Sequence, residues 1–338
     1  MAEKPAIPHL LSLQDMSEQE VDDLIDLSLR IKRRAGGLQL AGRTVGLLFF
    51  RPSLRTRASF EAAVYQLGGQ AIHLTASSDF WELDSAEGAV MDGKAPEHVK
   101  DAARVLSRYV SALAIRPAAA GQSWAVDRRD ASIRAWAAFA QVPVISMESV
   151  LWHPLQALAD MMTLRETLGD LRGKSLSVVW THSPQPASLS VVHSLLLATL
   201  RAGMRVRIAH PAGYELDDQV LSEARALADA RGTVFETGQS AKEAAKGAHV
   251  VYARSWASLE DYGNPTLGAS RRGRTQGWTV DANLLKLGAD AKLMHAGPVR
   301  RNLEVADEVL DGPRSLVYEQ AENRLHSQKA LLTRLLRA

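Results

Sequence analysis

The sequence predicts an α/β protein with two doubly wound parallel-sheet domains, and three observations point to this class. Short apolar runs bounded by turn residues, as in residues 44–50 and 175–180, are typical of buried parallel strands. Segments with helical spacing follow these runs, and strands that alternate with helices indicate a parallel sheet covered on both faces. Residues 40–50 and 171–180 also share one pattern of turn glycine, basic residue, hydroxyl and apolar run. This similarity predicts two α/β halves that each begin with the same type of strand.

The first half divides into strands and helices by apolar spacing and turn residues. After the strand at 44–50, Phe60, Val64 and Leu67 keep helical spacing until the glycines at 68–69 end the helix. The elements predicted next are a strand at 71–74, a helix at 98–109, a strand at 112–115, a helix at 133–139 and a strand at 143–146.

The second half repeats this alternation and sets the predicted domain boundaries. Its predicted helices lie near 188–202, 218–230 and 240–246, and its predicted strands near 205–209, 233–235, 249–252 and 291–294. Residues 321–336 form a leucine-rich helix that we expect to pack back on the first half. We therefore predict a first domain at 1–150, joined by 321–338, and a second domain at 151–320.

Composition and charge narrow the class of function. The 338 residues carry 40 basic and 38 acidic side chains, and a formal net charge of +2 is too small to indicate bulk attraction to nucleic acid or membrane. The chain has no cysteine, which excludes disulfides and thiol nucleophiles, and no apolar run of membrane-spanning length. Its first residues do not resemble a signal peptide, so a soluble cytoplasmic protein is expected. The arginines at 270–274 are interpreted as part of a solvated loop.

The segment FFRPSLRTRASFE at residues 49–61 joins the first strand to a helix and concentrates positive charge. Orphan N–H groups and the helix dipole make a helix N-terminus favourable for anions. Ser53 and Thr56 add hydroxyl donors, and Arg55 and Arg57 can form paired hydrogen bonds with oxyanions. The spacing is compatible with a phosphate site, or with a positive helix start that is ion-paired elsewhere.

Three further clusters of polar residues follow predicted strands or begin predicted helices. His153 and Gln156 are three apart at a predicted helix start, so they share one face and can bind a carbonyl or amide group. A structural helix cap is the alternative interpretation of His153. Residues 295–302 follow a strand, at the carboxyl edge where open α/β sheets bind ligands, and residues 322–326 begin the last helix.

At these motifs the sequence resembles the aspartate/ornithine carbamoyltransferase family over nearly the whole chain. The motifs are Ser53-Leu-Arg-Thr-Arg57, His153-Pro-Leu-Gln156 and His295 with Pro298, in this order. Finer features resemble the branch that acts on N-acylated ornithine, and they lie at residues 49–57, at Trp81 with 90–93, and at 146–148, 183–186, 252–256, 300–302 and 322–326. The resemblance implies two α/β domains, a homotrimer with sites between subunits, and a knot in the second domain around the proline-rich loop at 183–186.

The resemblance also implies a role for each matching residue. Carbamoyl phosphate would contact Ser53, Leu54, Arg55, Thr56, Arg57, Trp81 from a neighbouring subunit, Arg116, His153, Gln156 and Arg324. The catalytic residues among these would be Arg55, Thr56, Arg116 and His153. The acylornithine would contact Pro96, Glu148, Arg254, His295, Gly297 and Arg300. No metal or cofactor is implied. We expect Arg51 to pair at the loop or at a subunit edge, and a strand-end surface acid is the alternative interpretation of Glu148.

Within this branch, Pro96 resembles the succinyl-using members, because acetyl-using members tend to carry glutamate there and a carboxylate would repel a succinyl tail. We therefore expect N-succinylornithine ahead of N-acetylornithine as acceptor, carbamoyl phosphate as donor, and a place in arginine biosynthesis. The sequence departs from the family at Ala296 and Gly297, at Arg254 in place of lysine, and at Glu304 where acetyl-using relatives carry lysine. These departures leave two alternatives, a catalytically silent trimer and a carbamoyltransferase for another amine.

Overall fold

The computed structural model describes residues 8–33, 39–86 and 88–336, which fold into two compact units. Unit 1 comprises the described residues of Met1–Ala119, Arg128–Leu158 and Arg324–Ala338. Unit 2 comprises Ala120–Asp127 and Ala159–Asn323. Each unit is built around its own parallel sheet.

The strands and helices alternate along most of the described chain. In chain order, strands β1 to β11 are Thr44–Phe49, Gln70–Thr75, Leu83–Asp84, Glu97–His98, Ala112–Arg116, Val144–Ser146, Ser175–Trp180, Arg205–Ala209, Phe235–Gln239, Val250–Arg254 and Lys292–Met294. Helices α1 to α13 are Glu18–Arg33, Leu54–Gln66, Val99–Leu106, Trp124–Asp127, Ala131–Phe139, Pro154–Leu168, Ser190–Arg201, Asp218–Arg231, Ala241–Ala245, Pro265–Arg274, Ala282–Leu285, Asp307–Leu310 and Val317–Leu335.

The main sheet of unit 1 has the strand order β2-β1-β5-β6, and every pair is parallel. The chain leaves β1 for β2 on one side and later returns to β5 on the other side. This reversal places a topological switch point at the carboxyl ends of β1 and β5, where open α/β sheets form their ligand crevice. Phe49 pairs with Arg116 at these strand ends, so the segment after β1 and the Arg116 side chain share one edge.

The sheet of unit 2 has the strand order β11-β10-β7-β8-β9, again with parallel pairs. Its first strand, β7, likewise has neighbours on both sides, and the switch point lies between β7 and β10. Trp180 pairs with Arg254 at the carboxyl ends of these two strands. In both sheets, therefore, the first strand along the chain lies at a central position and is followed by a candidate binding loop.

Side-chain packing fixes the strand ends of unit 1. Trp136 of α5 is buried in one apolar cluster with Leu113 and Ile115 of β5 and Val99 of α3. Burial of apolar surface contributes roughly 25 cal/mol per Å². The cluster therefore anchors β5, and with it the position of Arg116 at the end of that strand.

Helix α2 has well-defined signals at both ends. Ser53 is in an extended conformation, and its Oγ accepts a hydrogen bond from the Thr56 N–H at 3.3 Å, which caps the first turn. At the other end Gly68 has a φ of +78°, a conformation that glycine adopts at little cost. The Gly69 N–H then donates to the Val64 carbonyl at 3.0 Å, as in a Schellman motif.

The predicted α/β class with parallel sheets is confirmed, whereas the knot stays a prediction. The interpretation of residues 270–274 as a loop is wrong, because they form the last turns of α10. Asn264 caps this helix and Pro265 occupies its first turn, and both signals favour a helix start. Among the residues that the structure describes, no helix is both long and apolar enough to cross a membrane.

Candidate active site

The start of α2 lies at the switch point of unit 1 and presents hydrogen-bond donors there. The first N–H groups of an α-helix have no carbonyl partner within the helix, and the helix dipole adds positive potential. The Thr56 side chain is buried, Ser53 is partly exposed, and Leu54 is 80% exposed, so the backbone of the turn is accessible beside Ser53. This arrangement can bind the oxygen atoms of an anion such as phosphate.

Arg57 is held in place between the first two strands of the sheet. Its Nη2 donates to Thr75 Oγ1 at 2.7 Å, and its guanidinium lies 4.6 Å from the centre of the Phe49 ring. Arg55 is partly exposed in the same helical turn. Two guanidinium groups therefore accompany the N-terminus of α2.

Arg324 joins the predicted phosphate site from the far end of the chain. It lies on α13 and is 4% exposed, and its Nη2 donates to Thr56 Oγ1 at 2.6 Å. Because the hydroxyl of Thr56 accepts this bond, its own hydrogen can point toward another acceptor. The pair therefore supplies a buried cation and an oriented hydroxyl at one place.

Glu148 is the centre of an ion-pair network beside this helix start. Its carboxylate lies 2.5 Å from Arg116 Nη2 and 3.4 Å from Arg51 Nη2. Arg51 Nη2 also donates to the Glu148 carbonyl at 3.4 Å, so Arg51 pairs with the segment after β6. Glu148 is 5% exposed, and the alternative interpretation of this residue as a surface acid is wrong.

His153 is held as a neutral imidazole with a defined tautomer. Burial lowers the pKa of His153 well below its ordinary value, opposed by the Glu148 carboxylate and assisted by the Arg324, Arg116 and Arg51 guanidinium groups. The Gln156 N–H donates to His153 Nδ1 at 3.3 Å, which favours the hydrogen on Nε2. His153 Nε2 lies 3.9 Å from the Glu148 carboxylate. This nitrogen is a candidate donor to a carbonyl oxygen.

Trp81 and Pro96 lie apart from this cluster. They belong to the segment between β2 and α3, where Trp81 is 72% exposed and Pro96 is exposed. Among the described residues, no hydrogen bond or ion pair joins either side chain to the residues near Thr56. The short parallel pair of β3 and β4 lies within this segment.

Unit 2 has its own polar cluster at the carboxyl ends of β10 and β11. Arg254 is 6% exposed, and its Nη1 donates to the Gly297 carbonyl at 3.3 Å. The Gly297 N–H donates to His295 Nδ1 at 2.8 Å, and Gly297 has a φ of +63° that suits glycine. Since Nδ1 accepts this hydrogen bond, Nε2 is the ring nitrogen of His295 that can carry a hydrogen.

Glu304 closes the loop that follows His295. Its carboxylate accepts a hydrogen bond from the Arg300 N–H at 2.8 Å and lies 3.7 Å from His295 Nε2. Burial raises the pKa of Glu304, and the bond from Arg300 opposes that increase. The exposed Arg300 side chain donates from Nε to Ser183 Oγ at 3.0 Å, which ties this loop to the proline-rich segment.

The structure therefore groups the predicted residues into two sets. Unit 1 brings together Ser53, Thr56, Arg57, Arg116, Glu148, His153 and Arg324. Unit 2 brings together Arg254, His295, Gly297 and Arg300 with Glu304 and Ser183. Within residues 8–33, 39–86 and 88–336, no three His, Asp or Glu side chains converge in a way that could hold a metal ion.

Sequence reasoning missed two connections in unit 1. It did not find that Arg51 and Arg116 share Glu148, nor that Asp130 bonds to the turn after Glu148. Residues 51 and 148 are 97 positions apart, and no local pattern links them. Asp130 precedes a helix and resembles an ordinary N-cap, although its side chain makes no cap hydrogen bond.

Comparison with protein families gives two matches that cover most of the chain. Residues 8–166 match the carbamoyl-P binding domain of aspartate/ornithine carbamoyltransferase. Residues 185–335 match the Asp/Orn binding domain of the same family. The first match contains the predicted phosphate site at the start of α2, and the second contains the Arg254 and Arg300 cluster together with Arg324.

Individual relatives match over nearly their whole length. The N-acetylornithine carbamoyltransferase of Xanthomonas campestris pv. campestris is 37% identical over 333 residues, covering 98% of each chain. The ornithine carbamoyltransferase of a Parafrankia species is 40% identical over 334 residues, covering 97% of this chain and 96% of the relative.

Solved structures of related enzymes match this chain at similar sequence identity and coverage. An acetylornithine transcarbamylase complexed with acetylcitrulline has a TM-score of 0.93 and 37% identity, covering 97% of this chain and 99% of its own. A mutant N-acetyl-L-ornithine transcarbamylase, with a glutamate replaced by proline, is complexed with carbamyl phosphate and N-succinyl-L-norvaline. Its TM-score is 0.93 at 38% identity, covering 97% of this chain and 100% of its own.

Proposed function

Because the chain belongs to the aspartate/ornithine carbamoyltransferase family, we propose that it transfers the carbamoyl group of carbamoyl phosphate to the δ-amine of an N-acylated ornithine. The products are an N-acylcitrulline and phosphate, and the reaction belongs to arginine biosynthesis. The observation that carries the proposal is the polar cluster of unit 1, where a helix N-terminus, the buried Arg324, the partly buried Arg116 and a neutral histidine lie together.

The phosphate of carbamoyl phosphate binds at the start of α2. Ser53, Arg55, Thr56 and Arg57 supply donors together with the Leu54 backbone, and Arg324 adds a buried guanidinium. Arginine suits this role because its planar group can form two hydrogen bonds to one phosphate. The fixed position of Arg57 beside Thr75 reduces the entropy lost on binding.

The carbamoyl group then faces Arg116, His153 and Gln156. Arg116 and the Nε2 hydrogen of His153 polarise the carbonyl with Thr56, and Gln156 binds the carbamoyl amide. The neutral amine attacks the carbonyl carbon, and the resulting oxyanion is stabilised by these prepositioned donors, which is commonly the largest contribution in acyl transfer. The C–O bond to phosphate breaks, and the departing phosphate, already paired with arginines, takes the proton from the amine.

The acceptor is recognised mainly by unit 2. Arg254 and Arg300 bind carboxylate groups, and the loop at His295 and Gly297 receives the amine. Glu148 contacts the amide end of the acceptor, although its carboxylate also holds Arg116 and Arg51. A primary amine has a pKa of about 10, so the site must select the deprotonated form.

The acyl group is succinyl ahead of acetyl, because Pro96 leaves no negative charge near the tail. Solved relatives with a glutamate replaced by alanine, proline, valine or serine are complexed with N-succinyl-L-norvaline, which supports an uncharged side chain for this ligand. Relatives named N-acetylornithine carbamoyltransferases at 36–37% identity favour acetyl as the second candidate.

We also propose that the active form is a homotrimer. Trp81, at 72% exposure, then reaches the site of a neighbouring subunit, and Pro96 on the same segment meets the acyl group there. A monomer of full activity in analytical ultracentrifugation and assay would contradict this assembly.

The function is tested by measuring ureido product from carbamoyl phosphate with N-succinylornithine, N-acetylornithine and free ornithine side by side. Turnover with an acylated substrate supports the proposal and identifies the acyl group. If none of the acceptors reacts while carbamoyl phosphate still binds, the change to Ala296 and Gly297 has silenced the site or altered its acceptor.

A further inference from the structure

A tight turn at residues 149–152 separates two members of the unit 1 cluster, Glu148 and His153. The Ser149 N–H donates to the Trp152 carbonyl at 2.8 Å, and the Trp152 N–H donates to Ser149 Oγ at 3.1 Å. These bonds close the turn on itself. Because the turn directly connects Glu148 and His153, its shape bears on the positions of both residues.

The carboxylate of Asp130 holds this turn from another part of unit 1. Ser149 Oγ donates to its Oδ2 at 2.6 Å, and the Val150 N–H donates to its Oδ1 at 2.9 Å. The Leu151 N–H adds a longer bond to Oδ2 at 3.4 Å. One side chain therefore satisfies donors of three successive residues.

The position of Asp130 is specific for a short polar residue. Its φ is +52° and ψ is +36°, in the left-handed region where aspartate and asparagine are enriched among non-glycine residues. The residue is 7% exposed, and burial raises the pKa of its carboxyl while the hydrogen bonds from Ser149, Val150 and Leu151 oppose that increase. Because a buried carboxylate without hydrogen bonds would be costly, its bonds to the turn are a structural requirement.

We propose that Asp130 is a positioning residue that fixes the turn at 149–152 and thereby sets Glu148 and His153 for carbamoyl transfer. Through Glu148 it also orients Arg116, which pairs with that carboxylate at 2.5 Å. Asp130 itself does not contact the reacting atoms. The inference rests on the proposed function for its effect on turnover, and on the geometry alone for its effect on His153.

Asp130→Asn is the informative substitution because it keeps the shape and the tolerance for positive φ. An amide offers only one acceptor oxygen, whereas the turn needs acceptors on both sides for the Val150 and Leu151 N–H groups. Whichever way the amide is oriented, one N–H group meets another donor. The turn should therefore loosen without a large change in volume.

We expect Asp130→Asn to lower kcat by at least about tenfold, while the calorimetric affinity for inorganic phosphate changes less than about threefold. The phosphate site at the start of α2 does not depend on this turn, so loosening the turn should lower kcat and leave phosphate affinity nearly unchanged. A general loss of unit 1 structure would instead reduce both kcat and phosphate affinity. Asp281→Asn is the matched control, since Asp281 caps α11 with a bond to Leu284 at 2.8 Å in unit 2. It should leave kcat unchanged.

A second readout is independent of turnover. In NMR titrations of ¹⁵N-labelled histidine, assigned with His153→Gln, the His153 resonance of Asp130→Asn should titrate at higher pH than in the wild type, because the loosened turn admits water. Unchanged His153 titration with kcat within twofold of the wild type would overturn the inference. So would a parallel loss of phosphate affinity and kcat. If the wild type turns over no acylornithine, the proposed function fails, and the His153 titration still decides the role of Asp130.

Discussion

Arg324 donates a hydrogen bond to the Thr56 hydroxyl at 2.6 Å, although the two residues are 268 positions apart in sequence. Both side chains are buried in unit 1, where Thr56 lies in the first turn of α2 and Arg324 on α13. The bond makes the last helix part of the predicted phosphate site. Its contribution can be measured directly.

Replacing Arg324 with glutamine should weaken phosphate binding. A hydrogen bond to a charged group is worth about 1.5–3 kcal/mol, so the dissociation constant for inorganic phosphate should rise by roughly 10- to 150-fold in calorimetry. Arg301→Gln is a matched control, because Arg301 pairs with Asp307 and Asp311 on the surface of unit 2. Equal phosphate affinity in the two variants would remove Arg324 from the site.

Replacing Arg55 with alanine should abolish turnover while the fold persists. Arg55 is partly exposed in the first turn of α2, so the change should leave the circular dichroism spectrum and thermal midpoint close to those of the wild type. Arg104→Ala, at an exposed position of α3, should keep full activity. If Arg55→Ala instead unfolds the protein, its role is structural.

Replacing Pro96 with glutamate should change the choice of acceptor. A new carboxylate would repel the succinyl tail, so the ratio of kcat/KM for N-succinylornithine over N-acetylornithine should fall by at least about tenfold, which is about 1.4 kcal/mol. Ala226→Glu adds a carboxylate at an exposed position of α8 and should not change the ratio. A constant ratio in Pro96→Glu would exclude this residue from acyl selection.

Ser183 should act on the acceptor through Arg300. Its Oγ accepts from Arg300 Nε at 3.0 Å and donates to the Gln185 carbonyl at 2.9 Å, so it fixes the guanidinium direction. Ser183→Ala should raise KM for the acylornithine about fivefold, near 1 kcal/mol, with kcat nearly unchanged. In an Arg300→Ala background the same change should have no further effect, since the interaction is already lost. Additive effects would show that Ser183 acts independently.

The buried His153 should make stability depend on pH in a defined direction. Its folded pKa is held well below the ordinary value by burial, whereas the unfolded chain takes up a proton below about pH 6.5. The free energy of unfolding should therefore fall as pH decreases from 6.5 toward the folded pKa, by up to about 1.4 kcal/mol per pH unit. When the free energy of unfolding is measured with denaturant between about pH 5 and 7 and plotted against pH, the slope should be smaller for His153→Gln than for the wild type. Equal slopes would contradict a neutral His153.

Local patterns in the sequence were sufficient to predict the positions of most of the parallel strands. The apolar run after a turn glycine predicted β1 and β7, and the glycines at 68–69 predicted the end of α2. Boundaries were less accurate, since β9 begins at Phe235 instead of 233 and α13 begins at Val317 instead of 321. These differences arise because the ends of elements depend on capping and pairing, which the apolar pattern does not record.

Two helices show the limits of local patterns in opposite ways. No prediction was made for α1 at Glu18–Arg33, although acidic residues begin it, basic residues end it, and Leu24 and Ile25 face the core. For α10 the run of arginines was interpreted as a solvated loop, although Asn264 and Pro265 mark a helix start. Arginine is a good helix former, and Arg271 is further stabilised by Asp261 at 2.6 Å.

The candidate site was predictable as a set of residues and not as a geometry. The motifs at 53–57 and 153–156 indicated donors at helix starts, and the structure places them there. The bonds of Glu148 to Arg116 and of Asp130 to the turn join distant segments, and only the folded sheet brings these together. Charge pairing across such distances has no sequence periodicity.

The bond between Arg324 and Thr56 also determines when unit 1 can finish folding during synthesis. The ribosome releases Thr56 and the sheet of unit 1 long before it has joined residue 324 to the chain. Until then the surface that later receives the buried leucines at 331 and 332 has no cover from this helix. Domains usually fold in the order of synthesis, but unit 1 can be completed only after unit 2 has been translated. Nascent chains of this protein therefore carry an unfinished apolar surface while unit 2 is being translated, which is the interval in which chaperones would act on them.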